Sequence, residues 1–510
     1  MLAKILSAAV AGIDAYTVEV EVDLARGTRQ GATLGLPDVA VKESRERVAT
    51  ALHNSGYFIP THPTVVNLAP ADTKKEGTCY DLPIALGTLI ASDQITPVRA
   101  DEVAFVGELA LNGAVRPVRG CLSMTIACRG AGHRAITVPA DNAAEAAVVD
   151  GIDVLPVAKL SEAVGIISGQ FNVAPHKVDR GKLFREGRSY EVDFSEVKGQ
   201  EHVKRALIVA AAGGHNVLMI GPPGSGKTML AQRLPTILPD LALEEALEVT
   251  RIYSVAGLLP TGTALMTARP VRAPHHTASN IALVGGGVNP RPGEISLAHK
   301  GVLFLDELPE FPRTVLEVLR QPIEDGSVRI SRAAATVEYP SEFILVAAMN
   351  PCPCGYFTDP ARECRCTPYQ IQRYISKISG PLLDRIDIHV EVPRVPYREL
   401  KQGQSGATSA EIRGQVAGAR AGQTARFKRS KISVNARMTS RQIKRHCELT
   451  PGAERLLASQ MESENLSARA YTRVLKVART IADLASSDGI KTEHVAEAIQ
   501  YRTLDRDLWA

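Results

Sequence analysis

Asn216–Thr228 reads NVLMIGPPGSGKT, and few other segments leave folding so little choice. Val217–Ile220 is a short apolar β run, Gly221–Thr228 fits G-x-x-x-x-G-K-[ST], and Met229, Leu230 and Ala231 continue in a helical pattern. Strand, loop and helix in that order are the setting a phosphate-binding loop needs. Gly221, Gly224 and Gly226 let backbone N–H groups face a triphosphate with no Cβ in the way, and the helix N-terminus adds its dipole. The loop from Gly221 through Pro222, Pro223, Gly224, Ser225 and Gly226 is therefore expected to cradle ATP. Lys227 would reach the β/γ-phosphates and Thr228 would hold Mg2+.

A chain of 510 residues, 45% of them hydrophobic, has room for about two to four domains with ordinary cores. Its net charge of +4 is too small to mark a nucleic-acid surface, so any such surface must come from local clustering. No run approaches the roughly 18 apolar residues a spanning helix needs, so no membrane partner is expected. Met1–Gly12 faintly resembles a signal peptide, but Asp14 follows at once and a Mg·ATP site belongs in the cytosol, which predicts a cytoplasmic protein. Eight cysteines in that compartment suggest free thiols or a metal site.

Residues 1–168 read as a mixed α/β domain. Thr17–Asp23 alternates Val18, Val20 and Val22 against acidic residues, as a strand with one buried face does. Asp38 is placed to cap a helix that buries Val41, Val48 and Leu52 and turns Lys42, Arg45 and Arg47 outward. Further β runs are Thr64–Leu68, Val103–Val106 and Ala135–Val138. Lys75-Glu76-Gly77-Thr78-Cys79, with Gly107-Glu108-Leu109 through Pro117, resembles the proteolytic domain of Lon proteases, a ribosomal S5 domain 2-like fold. In that resemblance Cys79 stands at the serine nucleophile's position and Met124 at the lysine's. Methionine cannot serve as a base, so a Lon-like domain without peptidase activity is expected. Residues 169–189, polar and basic with Lys177, Arg180, Lys182, Arg185 and Arg188, read as a linker.

Residues 190–396 carry the remaining nucleotide chemistry. Asp193–Gln200 holds a V-x-G-Q segment like the one that covers the adenine in AAA+ ATPases. Gly301–Glu307 reads GVLFLDE, a buried strand delivering two carboxylates: Asp306 for Mg2+-bound water and Glu307 to polarise the attacking water. Phe343–Asn350 is another apolar strand, ending in an amide at the place of the AAA+ sensor-1 residue. Ser379–Asp387 reads SGPLLDRID and resembles the segment by which minichromosome-maintenance helicases and magnesium-chelatase motors offer an arginine to a neighbour's γ-phosphate. Arg385 is the expected finger, which requires an oligomer; an internal pair with Asp384 or Asp387 is the alternative.

Two insertions narrow the branch. Arg269–Ala298 contains PVRAPHH and two glycine-proline-rich turns, too loop-like for a core helix. Ser327–Val337 reads as a β-hairpin bearing Arg329 and Arg332. A helix-2 insert and a pre-sensor-1 hairpin belong to the AAA+ branch of magnesium chelatases and replicative helicases, where such loops line a ring's channel and arginines can track a DNA backbone. Solvated surface arginines are the alternative. Cys352, Cys354, Cys364 and Cys366 form C-x-C-x9-C-x-C, either a zinc site or four reduced cysteines, since the spacing departs from the C-x-x-C knuckle.

Residues 397–510 read as a helical lid. Arg413–Arg445 is strongly basic with no acidic residue, a nucleic-acid face or a solvated helix surface. Pro451–Met461, Ala468–Ser486 and Thr492–Tyr501 are helical patterns. Arg469 stands where related helicases put the sensor-2 arginine that contacts the γ-phosphate, with Arg473 one turn later as runner-up.

The order of these parts, with GLPDVAVKESRERV, KEGTCYDLPIALG, RPVRAPHH and NPCPCG, resembles the ComM/YifB family over nearly the whole chain. That resemblance implies a hexameric ATPase that moves on single-stranded or branched DNA and promotes branch migration of recombination intermediates in natural transformation. The competing reading is a magnesium-chelatase-like ATPase that remodels a protein partner.

Overall fold

The computed structural model describes residues 2–25, 31–187, 190–287, 290–331, 336–357, 359, 362–396, 399, 401, 406–428, 430, 432–464 and 467–502. The chain forms two compact units, one of residues 1–188, 243–267 and 331–339, the other of residues 189–242, 268–330 and 340–510.

The first unit is built on a mixed seven-stranded sheet in the order Ala32–Leu34, Thr64–Ala69, Asp14–Leu24, Ala3–Ala11, Val103–Phe105, Ala135–Pro139, Asp153–Val157. The first hairpin is antiparallel, pairing Ile5 with Val20, and Ala3–Ala11 then runs parallel to Val103–Phe105 through Leu6 and Ala104. Val18, Val20 and Val22 face the core, as their alternation requires. Helix Val39–Asn54 begins at Asp38, whose carboxylate accepts from the Val41 amide at 2.8 Å. Arg47 does not turn outward: it donates twice to the fully buried Asp81 at 3.0 Å, which offsets the cost of burying that carboxylate. The segment expected to be linker is partly ordered. Asp179 caps a short helix, Arg180–Glu186, and Arg180 pairs with Asp150 at 2.5 Å.

The second unit holds a five-stranded parallel sheet in the order Val271–Arg272, Val302–Leu305, Ile344–Met349, Val217–Ile220, Ile388–Glu391. Its central strands are apolar at every position because helices cover both faces. Val271–Arg272 is the edge strand of this sheet, not part of a loop; two residues are too few to show a period in sequence. The rest of that insertion forms helix Asn280–Val284, a small antiparallel ladder pairing Gly285 with Pro292, and helix Glu294–Leu297. Helices Ser409–Phe427, Ser440–His446, Pro451–Glu464, Ala468–Leu484 and Thr492–Gln500 complete the unit, sharing one apolar core with helix Glu201–Gly213. Three arginines of the basic stretch serve this packing and do not form an open face. Arg413 donates to the Thr236 carbonyl, Arg420 to the Ala211 carbonyl, and Arg426 pairs with Asp483 at 2.6 Å.

Candidate nucleotide-hydrolysis site

The parallel order brings the C-terminal ends of Val217–Ile220, Ile344–Met349 and Val302–Leu305 side by side, with the sensor strand between the other two. The Gly221 amide donates to the Met349 carbonyl at 3.2 Å, so the loop leaves its strand along the neighbour. A Cβ on Gly221 would stand 2.2 Å from the Val392 carbonyl oxygen, an approach only glycine permits. Gly226 has φ of +95° and opens helix Lys227–Ile237. Lys227 Nζ is folded into the loop, donating to the carbonyls of Gly221 at 2.7 Å and Pro222 at 3.0 Å and to Asn350 Oδ1 at 3.2 Å. Burial lowers the pKa of this ammonium, and the charges of Asp306 and Glu307 oppose the shift. Thr228 Oγ1 donates to Asp306 Oδ2 at 2.7 Å. Gln200, at the end of the V-x-G-Q segment, donates to the Ser225 carbonyl at 2.9 Å and the Pro393 carbonyl at 2.6 Å.

Mg2+ and a nucleoside triphosphate fit these residues. Ser225 Oγ is buried without a hydrogen-bond partner among the described residues, and open space surrounds the position a Cβ would take at Gly224. Lys227 turns on the loop's own carbonyls, and Thr228 and Asp306 present two oxygens to one point. A P-loop hydroxyl and an acidic strand tip are the donors such a cation takes.

Glu307 sits just past the strand with φ of +53°, a left-handed conformation rare for a side chain of its size. Its amide donates to Asp306 Oδ1 at 2.9 Å. This turn separates the two carboxylates: Asp306 faces Thr228, while Glu307 Oε2 lies 3.3 Å from His276 Nδ1. The His276 ring stands edge-on to Phe311, with centroids 6.4 Å apart, and its centroid is 4.0 Å from that of His275. Sequence reasoning quoted His276 within PVRAPHH and assigned it no role; a histidine pair in a loop preceding an acid-tipped strand was the available signal.

Hydrogen bonds thus join Lys227 to Asn350 and Thr228 to Asp306, and the backbone sets Glu307 next to Asp306. Arg385 and Arg469 have other neighbours. Arg385 pairs with Glu324 at 2.6 Å and donates to the Pro381 carbonyl at 2.6 Å, with its side chain 11% exposed. Glu324 is a partner the sequence did not suggest. Asp384 instead meets Arg469 at 3.5 Å, and Asp387 meets the partly buried Arg473 at 3.9 Å. Burial alone would raise the Asp387 pKa, but the 3.0 Å hydrogen bond to His215 and the charges of His215, Arg473 and Lys476 hold it at about 2. His215 Nε2 contacts Thr480 Oγ1 at 2.8 Å, so this network ties the Ile388–Glu391 strand to helix Ala468–Leu484.

Arg329 is exposed on strand Ser327–Ser331; Arg332 lies outside the described residues, before strand Thr336–Pro340. The Sγ atoms of Cys352, Cys354, Cys364 and Cys366 lie within 4.8 Å of one another. In the first unit, Cys79 and Met124 are both buried in the apolar core. Among the described residues no helix is long and apolar enough to cross a membrane.

Three family descriptions match consecutive parts of the chain: "Subunit ChlI of Mg-chelatase" over residues 20–142, "Magnesium chelatase, subunit ChlI" over 193–400, and "Magnesium chelatase, subunit ChlI C-terminal" over 406–502. The YifB protein of Escherichia coli (strain K12) is 45% identical over 497 residues, covering 97% of this chain and 96% of its own. The competence protein ComM of Haemophilus influenzae is 44% identical over 510 residues, covering 99% of this chain and 98% of its own. The magnesium-chelatase 38 kDa subunit of Cereibacter sphaeroides is 24% identical over 251 residues, 45% of this chain and 72% of that subunit.

Proposed function

The chain belongs to the ComM/YifB family of magnesium-chelatase-like AAA+ ATPases, and from that premise we propose that it is an ATP-driven DNA motor. It works as a cytoplasmic homo-oligomeric ring, a hexamer, on single-stranded or branched DNA. Branch migration of recombination intermediates is the activity.

The observation that carries the ATPase half is the joining of Lys227 to Asn350 and of Thr228 to Asp306 at the tips of adjacent parallel strands. Mg2+, when bound, would supply positive charge against the charge that develops on the phosphates. Thr228 and Asp306 would hold that cation, and Lys227 would exchange its loop carbonyls for phosphate oxygens while keeping Asn350. Glu307, set apart from Asp306 by its left-handed backbone, would be left free of the cation to polarise a water. Asn350 orients the same water. Arg385 from a neighbouring subunit supplies transition-state charge, and Arg469 couples hydrolysis to movement of the C-terminal helices.

The DNA half is supported by the near full-length similarity to a competence protein and by Arg329 on an exposed strand position of the insertion. Arg329 and Arg332 would track phosphates in the ring's channel. The test is ATP hydrolysis with and without single-stranded and branched DNA, with Glu307→Gln as control. Stimulation lost in Glu307→Gln, and lost in the Arg329→Ala/Arg332→Ala double variant while basal hydrolysis survives, is the expected result. Hydrolysis indifferent to DNA overturns the reading in favour of protein remodelling, which the magnesium-chelatase similarity would then explain.

A further inference from the structure

We propose that Cys352, Cys354, Cys364 and Cys366 bind one zinc ion as a four-thiolate structural site, and that the ion fixes the loop carrying Asn350 against the phosphate loop.

The sulfurs are spaced for a single shared ion. Four thiolates about 2.3 Å from a common zinc in a tetrahedron lie about 3.8 Å from one another. Cys352 Sγ is 3.4 Å from Cys354 Sγ and 3.7 Å from Cys364 Sγ, and Cys354 Sγ is 3.6 Å from Cys364 Sγ. All four fall within 4.8 Å, and none is disulfide-bonded. An iron–sulfur cluster divides four cysteines among two or more irons and so spreads the sulfurs farther apart than one shared ion does.

The surrounding backbone is arranged for sulfur anions. Cys352 Sγ accepts from the Gly355 amide at 3.2 Å and the Phe357 amide at 3.3 Å. Cys366 Sγ accepts from the Cys354 amide at 3.4 Å, and Cys364 Sγ from the Cys366 amide at 3.5 Å. Amide donors turned on three of the four sulfurs stabilise thiolates far more than thiols, and they are the outer contacts that tune a metal–thiolate centre. Four thiolates on Zn2+ leave a net charge of −2, and the loop that carries them also carries Arg362 and Arg365. Arg362 lies 4.4 Å from the Tyr356 ring centroid and Arg394 5.6 Å, while Arg365 separates two of the ligands.

The position of the cluster gives it a task. Pro351 directly follows Asn350, so the first two ligands begin within two residues of the amide that holds Lys227. Gly355, with φ of +86°, closes the first C-x-C turn, and a Cβ there would stand 2.5 Å from Pro223 Cδ and 3.8 Å from Asn350 Cγ. The turn is thus seated on the phosphate loop itself. A metal that clamps both C-x-C arms holds that seat without a hydrophobic core of its own.

The experiment uses the full chain, expressed in zinc-replete cells and purified without added zinc or chelator. Elemental analysis should give about one zinc per chain, and a protein grown on cobalt should show the intense visible bands of a tetrahedral cobalt–thiolate centre. Zinc below about a tenth of an equivalent in wild-type protein, with all four thiols freely titratable, overturns the site whatever the variants do. The Cys364→Ser/Cys366→Ser variant should lose the metal, still bind a fluorescent ATP analogue, and hydrolyse ATP at least about tenfold more slowly. Loss of metal with unchanged hydrolysis overturns the link to the phosphate loop. The metal measurements need no nucleotide, so they stand or fall separately from the ATPase reading.

Discussion

His276 Nδ1 lies 3.3 Å from Glu307 Oε2, and this contact comes from a loop that touches neither the phosphate loop's strand nor the sensor strand in sequence. Glu307 is half exposed on a left-handed backbone, so its carboxylate has few other restraints. His276 is itself restrained by Phe311 and His275. A general base gains from being held at one angle, and loss of such a restraint reads out in turnover.

His276→Ala is therefore expected to lower kcat for ATP hydrolysis about tenfold, some 1.4 kcal/mol of barrier, with KM for ATP within twofold. His276→Asn, which keeps a donor, should recover part of the loss. A changed KM with unchanged kcat would assign His276 to nucleotide binding instead.

Arg385 makes its ion pair with Glu324, and Asp384 and Asp387, the alternative internal partners, meet Arg469 and Arg473 instead. An arginine serving a neighbour's nucleotide must give up that pair and the Pro381 carbonyl; Glu324 is 57% exposed and stays hydrated when released, while Arg385, 11% exposed, must also swing out of its packing. Arg385→Ala should reduce hydrolysis about 10^3-fold with ATP binding intact, and Glu324→Ala should leave hydrolysis at or above wild type. Mixing Arg385→Ala chains with Glu307→Gln chains should restore activity, because each supplies what the other's site lacks. Mixtures as inactive as their components would place the arginine's role within its own chain.

Legibility in the sequence followed the kind of signal. Val217–Ile220, Val302–Leu305 and Ile344–Met349 stood out because strands covered on both faces are unbroken apolar runs. Helices Pro451–Glu464, Ala468–Leu484 and Thr492–Gln500 matched their periodic segments to within a few residues. Val271–Arg272 was invisible because two residues carry no period. Arg47, Arg413, Arg420 and Arg426 were read as surface charge because a sequence does not reveal a buried carbonyl or carboxylate waiting for a donor. The same limit hid Glu324 and His276, whose partners are distant in the chain.

Cys79 gives the first unit a test. Burial, with the Asp81 charge adding to it, pushes this thiol up to about 12. Near neutral pH the thiolate fraction is then below about 10^-4, and Met124 cannot act as a base. Casein and peptides should remain uncut by the full chain with ATP, and Cys79→Ala should leave that baseline and ATP hydrolysis unchanged. In the folded protein Cys79 should also resist iodoacetamide at pH 7.5. ATP-dependent cleavage abolished by Cys79→Ala would establish a peptidase.

Asp387 links stability to pH in a defined direction. Its folded pKa of about 2 lies below the roughly 3.9 of an unfolded aspartate, so the unfolded chain binds the proton more readily. The stabilisation is complete above about pH 5, fades as pH falls toward 2, and amounts to about 2 kcal/mol at neutral pH. Asp387→Asn removes the charge and leaves the partly buried Arg473 without its 3.9 Å counterion and His215 without its carboxylate acceptor. Urea unfolding of the second unit, followed by far-UV circular dichroism, should separate wild type from Asp387→Asn most widely at pH 6 to 7. The gap should narrow by about 2 kcal/mol as the pH falls to 2, since the protonated carboxyl then resembles the amide in charge. A gap of constant size across that window would mean that the network holds helix Ala468–Leu484 by packing and neutral hydrogen bonds, with no contribution from the Asp387 charge.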